Sequence, residues 1–193
     1  ETDYCCTSSN AVNVVKAIPE DKDILFLPDK FLGGYVQHVT GRKLNIWDGA
    51  CHVHEKIGDL ELGKVTEAHP DAEILIHPEC GCSTSCLLKS TKFETKPDNM
   101  HIFSTSGMIN HVNESESKEF LIATEVGILH RMKKNNPDKD FHPASEDSVC
   151  EYMKLTNLEK LYNALKTEQY EVRVDAETAK KAKLPIDRML EIS

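Results

Sequence analysis
Apolar residues in this chain fall in short continuous runs, separated by stretches in which they recur every three or four positions. The short runs have the length and continuity of buried strands, and the spaced stretches have the period of helices packed by one face. Strands are expected at residues 23–27, 43–47, 73–76, 101–103 and 119–123, with further ones at 4–6 and 171–174. Helices are expected at 10–17, at 31–39 closed by Gly41, from Asp59 to just before Pro70, at 82–89, from Gly107 through Val112, and at 126–134. Thr156 with Glu159 predicts a capping box for a helix carrying Leu158, Leu161, Tyr162 and Leu165, read as core packing. Pro185 opens a last helix through Ile192, and a polar loop spans 90–99. Strand and helix alternate, and runs apolar at every position suit a parallel sheet covered on both faces. The class is α/β.

The pattern is duplicated. Thr7-Ser8-Ser9 before a helix is matched by Ser104-Thr105-Ser106 before a helix, at an offset of 97 between Ser8 and Thr105. Asp29 at a strand end is matched by Glu125, an offset of 96, and Cys51 by Cys150, an offset of 99. Near-constant offsets mark a repeated βα unit. By that logic the second copy starts with the strand ending His77-Pro78-Glu79, and the first copy lacks its counterpart upstream of Glu1. The chain reads as a piece of a longer protein.

Seven cysteines, an odd number and clustered, favour thiolate chemistry or metal binding over a disulfide framework where no export signal is seen. Two copies that each present one cysteine from a loop suggest a metal site shared on a symmetry axis. Two thiolates are too few for zinc or a cluster. A third copy would complete a three-thiolate site with one metal corner open to a ligand, as Lewis-acid chemistry requires. Cys80, Cys82 and Cys86 form a second group suited to zinc or a regulatory disulfide. Cys5 and Cys6 read as core strand residues. His52 and His54 follow Cys51, but in an extended segment both would point to the side of the backbone away from it. Asp29 and Glu125 suit either a helix cap or a site role.

Thirty-two acidic against 23 basic residues give a net charge of -9 with no basic patch, which argues against nucleic acid. The mean hydropathy is -0.44, and the longest apolar runs are far too short to span a bilayer. A cytoplasmic location is expected.

Asp48-Gly49-Ala50-Cys51-His52-Val53-His54, His77-Pro78-Glu79, Ser104-Thr105-Ser106-Gly107, Thr124-Glu125-Val126-Gly127, Cys150-Glu151-Tyr152-Met153-Lys154 and Pro185-Ile186-Asp187-Arg188-Met189-Leu190 together resemble quinolinate synthase. Cys80-Gly81-Cys82 and the expanded loop before Ser104 resemble its archaeal branch. The resemblance runs end to end here but covers only the C-terminal two-thirds of the family's pattern. It implies three-layer αβα domains with parallel sheets, repeated around a pseudo-threefold axis, the first domain being missing. Residues 1–63 would be a partial middle domain, 64–160 the third domain, and 161–193 a C-terminal segment packing back on the missing first domain.

The activity implied is condensation of iminoaspartate with dihydroxyacetone phosphate to quinolinate, with loss of phosphate and water, in NAD biosynthesis. The cofactor implied is a [4Fe-4S] cluster, with Cys51 and Cys150 as two of its three ligands. Ser8, Thr105 and Ser104 would hold substrate carboxylate or phosphate oxygens, with His77-Pro78-Glu79 beside them. His77 would bind an anionic group, and Glu79 would move protons during enolisation and dehydration. A functional link to L-aspartate oxidase or aspartate dehydrogenase is implied, with no nucleic acid and no membrane. The missing first domain carries the third cluster cysteine, so this chain alone is expected to hold an incomplete cluster. The alternative is a non-enzymatic metal-binding or redox module that uses the cysteine group.

Overall fold
A computed structural model describes residues 2–83 and 99–192. It divides into two compact units: Thr7–Val149, and Glu1–Cys6 with Cys150–Ser193.

In the larger unit, α1 (Ala11–Ala17) leads to β1 (Leu25–Phe26), α2 (Lys30–Thr40) and β2 (Asn45–Ile46). β1 and β2 pair in parallel, Leu25 opposite Asn45 and Phe26 opposite Ile46. Asp29 caps α2 by accepting from Leu32 N–H at 2.7 Å. Gly41 ends that helix in the left-handed region at φ 69°, where glycine carries no side-chain penalty. The Arg42 guanidinium then gathers the carbonyls of Val15, Ile18, Pro19 and Lys22, tying the end of α1 and its turn to α2.

A single 3₁₀ turn (His54–Lys56) and α3 (Asp59–Ala68) follow. A four-stranded sheet comes next: β3 (Glu73–Ile76), β4 (Met100–Ile102), β5 (Glu119–Ala123) and β6 (Asp140–Pro143), with α4 (Thr105–Glu114) and α5 (Ile128–Asn135) between them. All four strands are parallel in the order β4-β3-β5-β6. One face buries Ile74, Ile76, Leu121 and Ala123 against Leu62 of α3 and the Cys80–Cys82 turn. The other buries Leu75, Phe120, Ile122 and Phe141 against Met108 and Val112 of α4 and Met132 of α5. Helices on both faces explain why β3 and β5 carry no polar alternation. The α/β class with parallel sheets in helical layers stands.

The smaller unit holds α6 (Glu151–Lys154), α7 (Leu158–Thr167) and α8 (Ala176–Ile192). The cap of α7 is Asn157, whose side chain accepts from Lys160 N–H at 2.9 Å, so the Thr156–Glu159 capping box does not set that start. Leu158, Leu161 and Leu165 are exposed, so this helix is not core packing within this chain. Residues 4–6 and 171–174 form no strand; Cys5 N–H donates to Pro185 O instead, and Val172 and Val174 are exposed. Cys5 and Cys6 are half-buried rather than core. The last helix starts nine residues before Pro185 and runs through it. Residues 81–83 are helical; the rest of the helix expected at 82–89, with Cys86, and the loop expected at 90–99 up to residue 98 lie outside the described residues. No described helix is long and apolar enough to cross a membrane.

Candidate active site
The strand order places a crevice where chain connections leave β3 and β5 in opposite directions, the usual ligand position in an open parallel sheet. His77-Pro78-Glu79 follows β3 at that edge and Thr124 follows β5. His77 N–H donates to Ala123 O at 3.0 Å, which fixes the two strand ends against each other.

A third element enters from the loop after β2. Its path depends on Gly49, where a Cβ would lie 2.4 Å from Pro28 O, a distance no side chain tolerates. Cys51 follows, half-buried, with its backbone N–H held by Asp29 Oδ2 at 3.1 Å. Asp29 thus caps α2 with one oxygen and anchors the cysteine loop with the other. Its carboxyl is buried, and that burial, helped by the nearby Glu79 charge, raises its pKa against the pull of the backbone N–H groups.

His54 joins the site against the expectation from strand alternation. That alternation holds for extended backbone, but Val53 is helical (φ -85°, ψ -54°) and Glu55 N–H donates to Cys51 O at 2.9 Å. The turn brings the His54 ring round beside the cysteine. Its Nε2 is 2.9 Å from Thr124 Oγ1, and its ring stacks on His77 with centroids 4.5 Å apart. Nδ1 lies 3.3 Å from Glu79 Oε2, off the line of a hydrogen bond, and is otherwise buried without an aligned partner. Such an atom costs free energy unless a ligand or a shift of Glu79 satisfies it. Sequence alone holds one signal for this: a histidine three residues from the cysteine is on the same side once the chain turns.

Electrostatics divide the labour between His77 and Glu79. Burial, reinforced by His54, pushes His77 down to about 4, so the ring is neutral at pH 7. Glu79 N–H approaches His77 Nδ1 at 3.4 Å, which leaves the ring proton on Nε2 as a donor. Contact with His54, then the neighbouring imidazoles, holds the Glu79 carboxyl below its usual range, so it is ionised. Cys51, His54 and Glu79 offer sulfur, nitrogen and oxygen atoms all within 4.8 Å of one another, a set able to hold a metal.

Ser104 and Thr105 lie at the same edge, after β4, where Phe103 N–H donates to Ile76 O at 3.0 Å. Ser104 caps α4 by accepting from Gly107 N–H at 3.2 Å, and Thr105 is exposed. Ser8 is half-buried in a turn held by Thr7 N–H to Asn10 Oδ1 at 2.8 Å. Pro78 is fully buried. Cys150 is half-buried at the start of α6, in the smaller unit. Cys80 and Cys82 are both fully buried, and the Cys80 thiol donates to Ala123 O at 3.0 Å. Both pack in the core, which weakens the case for them as zinc ligands.

Residues 1–191 match the family described as Quinolinate synthetase A protein. The chain is 48% identical to the quinolinate synthase of Pyrobaculum aerophilum over 192 residues, covering all of this chain and 62% of that protein. It is 48% identical to a Thermus thermophilus quinolinate synthase over 190 residues, 98% of this chain and 59% of the relative. It is 47% identical to that of a Mycobacterium species over 193 residues, all of this chain and 57% of the relative. The chain therefore spans about 60% of the length of these relatives. Matched along almost its whole length, with the histidines and glutamate of its sheet edge gathered in one crevice, this chain belongs to the quinolinate synthetase A family.

Proposed function
We propose that this chain carries the proton-transfer and part of the substrate-binding machinery of a quinolinate synthase. The reaction is the condensation of iminoaspartate with dihydroxyacetone phosphate, with loss of phosphate and water. The observation that carries the reading is the ionised Glu79 beside an unsatisfied, buried His54 Nδ1 at the switch point of the sheet.

Glu79 is a base at pH 7 and acts on protons at the substrate carbon or hydroxyl. If the Thr124 hydroxyl donates to His54 Nε2, Nδ1 carries the ring proton and is available to a substrate oxygen, or to Glu79 once the carboxylate swings into line. Neutral His77 recognises an anionic substrate group through its Nε2 proton rather than through charge. Ser104, Thr105 and Ser8 would take the remaining carboxylate or phosphate oxygens.

The donor set fits an iron–sulfur cluster in part. Cys51 is half-buried on an anchored loop and Cys150 is half-buried at a helix start, which suits two of three thiolate ligands. The third would come from the part of the relatives that this chain does not span. When bound, such a cluster supplies an open iron that polarises a substrate oxygen as a Lewis acid. The pathway setting is NAD biosynthesis, with L-aspartate oxidase or aspartate dehydrogenase supplying the imine.

The test joins this chain to the upstream part of a relative that it does not span and assays quinolinate. Glu79→Gln is expected to lower turnover by at least 10²-fold while cluster absorbance is unchanged, roughly the range of a lost general base. Turnover near wild type with an intact cluster would remove Glu79 from the mechanism. A joined protein that binds metal but makes no quinolinate would favour the non-enzymatic reading.

A further inference from the structure
At the opposite, amino-terminal edge of the four-stranded sheet lies a second group of ligating side chains. Glu119 opens β5 and His142 sits in β6. The register pairs Leu121 with His142 and Glu119 with Asp140. Two-residue periodicity therefore puts Glu119 and His142 diagonally on one face, the face that packs α3. His69, which ends α3, completes the group from a third segment. His69 Nδ1 is 2.7 Å and His142 Nε2 is 3.1 Å from the same oxygen, Glu119 Oε1. The two rings stack at 3.8 Å, and the three ligand atoms all lie within 4.8 Å of one another.

We propose that His69, Glu119 and His142 form a divalent-metal site of the zinc class, separate from the candidate active site. Two imidazoles and one carboxylate are a common zinc donor set, with nitrogen and oxygen at about 2.0–2.2 Å. Tetrahedral coordination at those bond lengths separates the ligand atoms by about 3.3 Å. From the observed 2.7 and 3.1 Å the contacts would open by about 0.6 and 0.2 Å, and the two stacked rings would turn so that each aims its nitrogen at the ion. Each side chain is about a third exposed, which gives that freedom and leaves the fourth position to water. The chain's net charge of -9 attracts cations.

A neighbouring group, Glu73 with His101 and His111, fits less well. Glu73 Oε1 already accepts from the Ser115 hydroxyl at 2.7 Å, and His101 Nε2 is 3.7 Å from Oε2. A metal at His69–Glu119–His142 would cross-link three segments far apart in sequence and staple the α3 end to β5 and β6. It would stabilise the folded chain in proportion to its occupancy.

The test uses the reduced, chelator-stripped chain and zinc itself. Because thiolates in general compete for zinc, the quantity read is the difference between wild type and variants. Wild type is expected to hold one more zinc per chain in equilibrium dialysis than Glu119→Gln or His142→Ala, and to gain more in unfolding temperature on zinc addition. Glu119→Gln keeps the shape and an acceptor oxygen, so it decides if His142→Ala fails to fold. Equal zinc content and equal thermal shifts in wild type and Glu119→Gln would overturn the proposal. So would loss of the same equivalent in His101→Ala. With cobalt(II) in place of zinc, the difference spectrum should lack sulfur-to-metal charge-transfer absorption, and its presence would assign the ion to cysteine instead.

Discussion

β1 and β2 pair over two residues each, with Leu25 and Trp47 in solvent, whereas β3 and β5 pair over four with every apolar residue buried. The first sheet is covered where α2 presses Gly33 onto it: a Cβ there would lie 2.9 Å from Ile46 and 3.0 Å from Phe26. Beyond that contact, Leu25, Leu44, Ile46 and Trp47 line an open groove of about 480 Å³. The second sheet is enclosed by helices on both faces. Similar βα units thus yield a marginal sheet in one place and a closed core in the other. The difference lies in the number of partner strands and in two-sided cover, because an isolated pair of strands buries too little to stand alone. Chemistry follows enclosure: His77, Glu79 and Thr124 take their positions from the rigid sheet, and the cysteine loop is held against it through Asp29 and His54.

The sharpest contrast to test is in the cores. Phe120 is fully buried between β3, β6 and α4, stacked on Phe141 at 5.6 Å between centroids. Phe120→Ala is expected to cost about 3–5 kcal/mol of unfolding free energy, as large cavities in enclosed cores do. Urea denaturation measures it. A loss under about 1 kcal/mol would mean that the four-stranded sheet is not the stability centre of the chain.

Next in size is the toll of the site itself. His77 is pushed down to about 4 in the folded chain, below its unfolded value of about 6.5, so the unfolded state binds the extra proton first. Its contribution is absent above about pH 6.5 and counts against folding as pH falls from there toward about 4. By about pH 5 that amounts to roughly 2 kcal/mol. His77→Gln should flatten the acid limb of the stability curve by about that much, leaving stability near neutral pH little changed. Identical acid limbs in the two proteins would show that the ring is charged in the fold.

Legibility from sequence tracks the same contrast. β3 and β5 are readable to the residue because their enclosed positions, 74–76 and 120–123, are apolar without a break. β6 is absent from the strands expected from sequence because an edge strand of Asp-Phe-His-Pro needs only Phe141 inside. Residues 171–174 look like a strand, yet β-branched content without a partner makes none. The spacing of the duplicated landmarks puts His77 and Glu79 at the start of a repeat, beside the strand ends. It cannot show His54 or Thr124, because their meeting depends on a single 3₁₀ turn and on a contact across 70 residues. Asp29 suits a cap or a site role by its position at a strand end, and it is both a cap and the anchor of the cysteine loop.

The smallest effect lies in the first sheet, where it says most about the contrast. Leu25 pairs with Asn45 through its backbone, while its side chain is 65% exposed at the rim of the groove. Little apolar area leaves water when this chain folds, so Leu25→Ala should change the unfolding free energy by no more than about 0.5 kcal/mol. The same substitution in the chain joined to the upstream part of a relative measures whether the groove is covered there. A cost of about 2 kcal/mol or more would mean that the side chain is buried by the added part, since that is the scale of truncating an enclosed leucine. A cost that stays near zero would mean that β1 keeps an open face even in the joined protein, and that the difference between the two sheets belongs to the fold itself.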